Sequence, residues 1–551
     1  MRQPLPGWGT RIGLILAVSG SAVGLGNFLR FPGNAAENGG GAFMIPYFIA
    51  LVLLGIPIGW AEWTMGRYGG RKGFHSAPAI IGVWGRGAIA RYIGAFGVLI
   101  PLVVYFYYVI IESWCLAYAW HYASGGIGVL PDQSVTQQVA ASQNFFSEVT
   151  GSSNNGSVLN ALVTDSLIFW VVTFAINVWL VFRGLSRGIE TFCRWAMPAM
   201  AICALIILVR VLTLGTPDPA VPEQNVAAGL NFMWHPDYAA LGNFQTWLAA
   251  AGQIFFSLSV GFGIVINYSS YMRKNEDVVL SGLTASATNE FFEVALGGMI
   301  TLTAAVVFLG LVATQANIGG TFSTGFSALP VVFARMPLGN FFGAVWYFML
   351  FLAAITSSLS MLQPAKAFFE EALGISHYAA TSLVAALGLG GNIFVLWFSK
   401  GLVALDTLDF WVGTFMIFIV AGTQIICFAW VFGIDKALEE THRGAQIRIP
   451  RMFRFIIKYV SPTYLLVIFL GFCWYNIPGY VRTVLGDPAA GMPADRSAIM
   501  AWIVILAVIA MLMIVTAIGS RRWRAMGLDL DGKLGPADDP EVPLWRDGVR
   551  R

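Results

Sequence analysis

The stretch Ser19-Gly20-Ser21-Ala22-Val23-Gly24-Leu25-Gly26-Asn27 decides how this chain must be read. It lies inside a long apolar segment, yet each glycine in it weakens a helix by about 1 kcal/mol relative to alanine. The pattern recurs at Ser257-Leu258-Ser259-Val260-Gly261-Phe262-Gly263, again within an apolar segment. In a bilayer an unwound turn is tolerated only where protein buries its N–H and C=O groups or a cavity accepts them. One Val-Gly-x-Gly alone reads as close helix packing through small residues. Two copies flanked by serines read as paired broken helices around a binding site, as in secondary transporters.

Hydrophobic residues fill 57% of the 551 positions and charged ones 11%. Soluble domains carry about 25% charged residues, so the chain is an all-α polytopic membrane protein. Twelve stretches are long enough to span, at about 20 residues each. They run over 11–36, 41–68, 91–122, 166–184, 191–213, 243–271, 279–312, 338–371, 378–398, 402–432, 456–478 and 498–519, here α1–α12. The first runs into the glycine break and Arg30 without a small-residue cleavage site, so it reads as a span and not a leader. The sizeable polar stretches are the loops 123–165 and 213–242 and the tails.

Arg67, Arg71, Lys72, Arg86 and Arg91 fall between α2 and α3, and Arg183, Arg187 and Arg194 around the α4–α5 connection. Arg273 and Lys274 follow α6, basic residues crowd 433–455, and Arg521, Arg522 and Arg524 follow α12. The loops 123–165 and 213–242 hold no Lys or Arg. The positive-inside rule therefore puts both termini in the cytoplasm. These charges are topology signals and suggest no nucleic-acid partner. The five cysteines, at 115, 193, 203, 427 and 473, sit singly in apolar stretches as packing residues. No Walker loop, nucleophile elbow or kinase signature is present, and Gly24-x-Gly26 lacks the strand and acidic residue of a dinucleotide site. The chain reads as no enzyme.

The string Ser-Ala-Val-Gly-Leu-Gly-Asn-Phe-Leu-Arg-Phe-Pro (21–32) carries a specific resemblance. With Asn-Gly-Gly-Gly-Ala-Phe (38–43), Gly-Gln-Ile-Phe-Phe-Ser-Leu-Ser (252–259), Ser-Gly-Leu-Thr-Ala (281–285) and Leu-Asp-Phe-Trp (408–411), it resembles the neurotransmitter:sodium symporters, in particular the bacterial leucine-transporter branch. The resemblance implies the leucine-transporter fold, with five-helix inverted repeats over about 8–213 and 243–432 and broken α1 and α6. The transporter core would occupy 1–455, α11 and α12 would lie in 456–520, and 521–551 would be a cytoplasmic tail.

The resemblance implies two sodium sites. The first takes the Ala22 carbonyl, the side chains of Asn27, Ser257 and Asn289, and the substrate carboxylate. The second takes carbonyls of Gly20, Val23 and Ala353 and the hydroxyls of Thr356 and Ser357. Positions 353, 356 and 357 share one helix face, and a hard cation wants oxygen ligands. By the same resemblance the amino-acid pocket comprises Ser21, Ala22, Leu25, Gly26, Val104 and Tyr108 from the first repeat. Phe256, Ser257, Ser259, Phe262, Ser357 and Met361 complete it. No side chain in this set is charged, and the amine-transporting branch's aspartate is here Gly24. A zwitterion with an uncharged side chain suits such a pocket.

Arg30 and Asp409 are implied as an extracellular gate pair above an aromatic lid of Tyr108 and Phe256. Trp8, Ser270, Tyr271, Gln363 and Glu371 match the intracellular gate, although its usual basic residue is Leu5, so that salt bridge is altered. Arg2 is an open substitute, with Pro4 and Pro6 stiffening the route. Glu62 matches an acceptor for the unwound part of α6, and Glu112 reads as structural. Glu293 stands where chloride-dependent relatives carry serine, with Tyr47, Gln253 and Ser257 completing the chloride-site pattern. Its carboxylate would replace the anion. The expected function is sodium-coupled, chloride-independent symport of neutral, hydrophobic amino acids by alternating access in a prokaryotic inner membrane. An amino-acid-sensing membrane receptor on the same scaffold is the alternative.

Overall fold

The computed structural model describes residues 8–160, 165–317, 322–487 and 491–533. Arg2, Pro4, Leu5 and Pro6 therefore lie outside the described residues, as does the tail from 534. Among the described residues the chain is helical, with only two isolated β-bridges, Gly40–Pro236 and Asp487–Met492.

The first span, α1, consists of Arg11–Ala22 and Gly26–Glu37, bent by 47° at the glycine break. Then follow α2 (Gly41–Arg71), α3 (Ala88–Ser124), α4 (Asp165–Phe182) and α5 (Leu185–Leu212). The next span, α6, is split into Phe244–Ser257 and Ile264–Ser269. The remainder are α7 (Val278–Leu309), α8 (Gly339–Leu373), α9 (His377–Trp397), α10 (Lys400–Val431), α11 (Met452–Leu485) and α12 (Arg496–Ala525). Ten of these helices are continuous and long and apolar enough to cross a membrane, and the bent α1 makes eleven. The expected α6 span fails that test because irregular backbone divides it into two short pieces.

Several boundaries differ from the sequence expectation, α11 for one spanning Met452–Leu485 and not 456–478. A wide π-helical turn, Leu185–Glu190, extends α5 toward its N-terminus past the expected 191. The tail expected from 521 is helical to Ala525, and its next residues fold back on the α2–α3 connection. There Asp529 pairs with Lys72 at 2.7 Å and Asp531 with Arg91 at 2.6 Å, while Trp523 is fully buried against Phe74. Polar composition alone concealed this docking.

The core is built on α3 and α8, which pack along one another. The most apolar windows of both are 89% buried, against 28% for α4 and 33% for α5, α11 and α12. A helix apolar all round is either central or faces lipid, and burial separates these cases. α1, α6 and α7 pack against this centre, bringing the two breaks together.

Candidate functional site

At the first break Val23 leaves the helix with extended backbone (φ −74°, ψ 98°). Gly24 is needed for space, since a Cβ there would stand 2.9 Å from both Ser357 Oγ and Tyr108 Oη. At the second break Gly261 (φ 81°) and Gly263 (φ 79°) adopt left-handed backbone, open to glycine without strain. Ser259 does so as well (φ 53°), at a cost of roughly 1–2 kcal/mol. The unwound turn is fastened by Glu62, whose Oε1 accepts from the Gly261 amide (3.1 Å) and Gln424 Nε2 (2.7 Å). This is the contact expected of Glu62.

The breaks carry oxygen-rich clusters. Because the first half of α1 stops at Ala22, its last carbonyls have no donor one turn on, and that helix end is the negative end of the dipole. Ser357 Oγ donates toward three of these and neighbouring carbonyls: Gly20 (3.4 Å), Ser21 (3.1 Å) and Ala353 (3.1 Å). Thr356, whose Oγ1 donates to Leu352 and Ala353 carbonyls of its own helix, packs against Gly20. Gly20, Ala353, Thr356 and Ser357 are thus brought together, with Val23 buried at the adjoining helix end.

The other cluster joins α1, α6 and α7. Asn27 Nδ2 donates to Asn289 Oδ1 (2.9 Å), and Asn289 Nδ2 donates to Ser257 Oγ (2.6 Å). Asn27 Oδ1 accepts from the Gly24 amide (2.9 Å), tying the cluster to the break beside Ala22. Ser257 in turn donates to Glu293, which also accepts from Gln253 Nε2 (2.5 Å), Asn289 (3.2 Å) and Asn27 (3.4 Å). Four donors from three helices therefore converge on one fully buried carboxyl group. Tyr47 faces this group as well: it interacts with Glu293, and its hydroxyl donates to Glu290 Oε2 (2.7 Å), a second acid one turn before Glu293. Only the Glu-x-x-Glu spacing in an apolar helix hinted at Glu290.

Between the clusters lie the pocket residues. The Leu25 amide points at Tyr108 Oη (3.4 Å), and the second half of α1 begins at Gly26, a positive dipole end suited to a carboxylate. Phe256 packs on Gly26 and meets Phe262 edge-on at 6.0 Å, while Ser259 Oγ approaches the Ser21 carbonyl (3.5 Å). The Ser21 hydroxyl is buried without a partner. Val104 lies one turn from Tyr108 and Met361 one turn from Ser357, both buried.

The expected Arg30–Asp409 ion pair is not formed. Arg30 lies over the Phe256 ring, 4.3 Å from its centroid, and Asp409 Oδ1 accepts from the Tyr107 hydroxyl at 2.6 Å. Each charge is satisfied by an aromatic residue, so neither needs the other. Tyr107 was not anticipated, because adjacent helical residues point about 100° apart and Tyr108 had been assigned to this lid.

At the opposite end, Trp8 Nε1 donates to the Tyr268 carbonyl (3.0 Å), and the two rings meet edge-on at 5.0 Å. Ser270 Oγ donates to the Asn267 carbonyl (2.6 Å) and contacts His75 Nδ1 (2.9 Å). Tyr271 stacks on His75 at 4.3 Å, and Gln363 Oε1 lies 3.5 Å from Lys366 Nζ. Desolvation, against a smaller opposing pull from Glu370, pushes the His75 imidazole down to about 4, so the stacked ring is neutral. Glu371 Oε2 accepts the His75 and Ser76 amides, each at 2.8 Å, fixing the chain that leads into the helix Ala77–Trp84. Glu112 accepts from Asn177 (2.9 Å), which accepts from Ser358 (2.7 Å), a clamp joining α3, α4 and α8.

Oxygen-lined clusters at two helix breaks in a multi-pass bundle define a secondary transporter. The family model for the sodium:neurotransmitter symporter family matches residues 6–125 and 125–523. The chain belongs to that family. A sodium-dependent transporter of Methanocaldococcus jannaschii is 29% identical over 467 residues, 84% of this chain and 89% of that one. The sodium-dependent nutrient amino acid transporter 1 of Drosophila willistoni is 26% identical over 508 residues, 84% of this chain and 77% of that one. The crystal structure of MhsT in complex with L-phenylalanine superposes with a TM-score of 0.69 at 26% identity, covering 85% of this chain and 99% of that one. The fold is the leucine-transporter fold, and the matched proteins are transporters, not enzymes.

Proposed function

We propose that this chain is a symporter that couples two sodium ions to one neutral, hydrophobic amino acid, without chloride, by alternating access. The observation that carries the reading is the meeting of two oxygen-rich clusters at the helix breaks, beside a pocket whose named side chains are uncharged. Hard cations take several oxygens and no sulfur. In this reading the first sodium is held by Ala22, Asn27, Ser257, Asn289 and the substrate's own carboxylate. The second is held by Gly20, Val23, Ala353, Thr356 and Ser357. The Leu25 and Gly26 amides and Tyr108 receive the carboxylate. Arg30, Phe256, Tyr107 and Asp409 close the outer side, and Trp8, Ser270, Tyr271, Gln363 and Glu371 the inner. The bias of Lys and Arg among the loops supports cytoplasmic termini, and one archaeal and two bacterial relatives support a prokaryotic membrane. MhsT with bound L-phenylalanine supports the substrate class.

Labelled phenylalanine and leucine should enter proteoliposomes against a concentration gradient when sodium is high outside. An interior-negative potential should accelerate this, each charge moved contributing about 2.3 kcal/mol per 100 mV. Equal amino-acid binding in sodium and potassium media would refute the shared first site. Gly24→Ala should weaken that binding about ten- to hundred-fold, matching roughly 1–3 kcal/mol of overpacking against Ser357 and Tyr108. Wild-type affinity in that variant would mean the break does not hold its present shape in the bound state.

A further inference from the structure

The first half of α1 is a short lever. One end joins the break at Val23–Leu25. The other is tied to α6 by Trp8 and to α7 by Arg11, which meets Asp277 and Ser281, and is held on α5 by a residue no motif singled out. Glu190, the last residue of the π-helical turn that opens α5, is 1% exposed. Its Oε2 accepts the Gly9 amide at 2.7 Å and its Oε1 accepts the Thr10 hydroxyl at 3.2 Å. Arg194 pairs with the same Oε1 at 2.6 Å and donates to Thr10 Oγ1 at 2.7 Å. A buried carboxylate accepting an amide, a hydroxyl and a guanidinium makes charge-assisted bonds of the strong kind.

The helices also fit closely here. A Cβ on Gly13 would collide with the Glu190 carboxylate, so only glycine lets α1 lie flush on α5. One and two turns further along α5, Cys193 and Met197 stand 3.5 and 3.4 Å from where a Gly20 Cβ would lie. Positions 190, 193 and 197 form one stripe of α5 that runs from the start of α1 to the carbonyls of the second cluster.

We infer that Glu190 is the pin of the inner gate, a positioning residue that holds the first half of α1 on α5 and so keeps the second sodium site assembled. The inference rests on the alternating-access reading above. Release of the pin lets the lever swing about the glycine break, which separates Gly20 from Thr356 and opens the site inward. Sodium, bridging the same lever to α8, favours the pinned state, because a ligand shifts a population toward the conformation it binds.

Native Cys193, fully buried under the lever, is the reporter. The full chain in proteoliposomes is treated with N-ethylmaleimide, and alkylation of Cys193 is followed by peptide mass spectrometry. In the wild type sodium slows alkylation relative to potassium. Glu190→Gln keeps the shape but cannot accept from all three partners, and it should speed alkylation in potassium about ten-fold, as loss of one charge-assisted bond implies. Saturating sodium should return the rate to within about two-fold of wild type. Arg194→Ala, at a side chain 47% exposed and so safe for folding, should act in the same direction by about three-fold, and carries the test if Glu190→Gln does not fold. Wild-type rates in both variants would overturn the inference. Acceleration that sodium does not reverse would also overturn it, since general loosening of the fold ignores the ion. If sodium fails to protect Cys193 in the wild type, it is the alternating-access reading that falls.

Discussion

Replacing Thr356 and Ser357 together by alanine abolishes sodium-driven uptake while the protein still inserts and folds. Both hydroxyls donate to carbonyls of α8 that are already paired within the helix, so their loss strands no α8 group. On the other side, Ser357 also satisfies the Gly20 and Ser21 carbonyls at the break, and these lose a donor. Each hydroxyl is a ligand in the proposed second site. At about 1.5–3 kcal/mol per bond to a charged group, losing both weakens sodium binding on the order of a hundred- to ten-thousand-fold. The sodium dependence of initial uptake measures this, with Ser357→Ala alone expected between wild type and the double variant. Sodium-driven uptake at wild-type rates in the double variant would show that the ion lies elsewhere.

Glu293→Ser converts uptake from chloride-independent to chloride-dependent. Gln253, Ser257, Asn289 and Asn27 all donate toward this one carboxyl group, which is fully buried between α1, α6 and α7. Serine leaves those donors facing a space with no anion. Breaking a buried charge arrangement costs roughly 3–5 kcal/mol, so uptake in gluconate medium should fall at least about a hundred-fold. A chloride ion can occupy the vacated volume and accept the same donors, so added chloride should restore uptake. Equal uptake of the serine variant with and without chloride would make Glu293 a structural residue only.

Much of this was legible in the chain itself. The membrane class, the spans and both breaks are local properties, since hydropathy and glycine act over a single turn or helix. The cluster residues and Glu62 could be named only through the family resemblance, which rests on the strings around the breaks; helical spacing by itself grouped Ala353, Thr356 and Ser357 on one face.

What remained hidden depends on where distant segments meet. Arg30 and Asp409 carry the right charges, yet the folded chain gives one the Phe256 ring and the other Tyr107. Glu190 belongs to no motif in the sequence, and only the packing of α5 against residues 9–13 gives it partners. The acids at 529 and 531 looked like part of a solvated tail until they met Lys72 and Arg91. By itself the sequence determined that this is a multi-pass helical protein with two broken helices flanked by serines, because hydrophobicity and backbone propensity are carried by each residue. Only the tertiary structure decided which charges are paired and what holds the lever of α1, because a hydrogen bond exists only between atoms within about 3 Å, and packing alone sets that distance for residues so far apart in the chain.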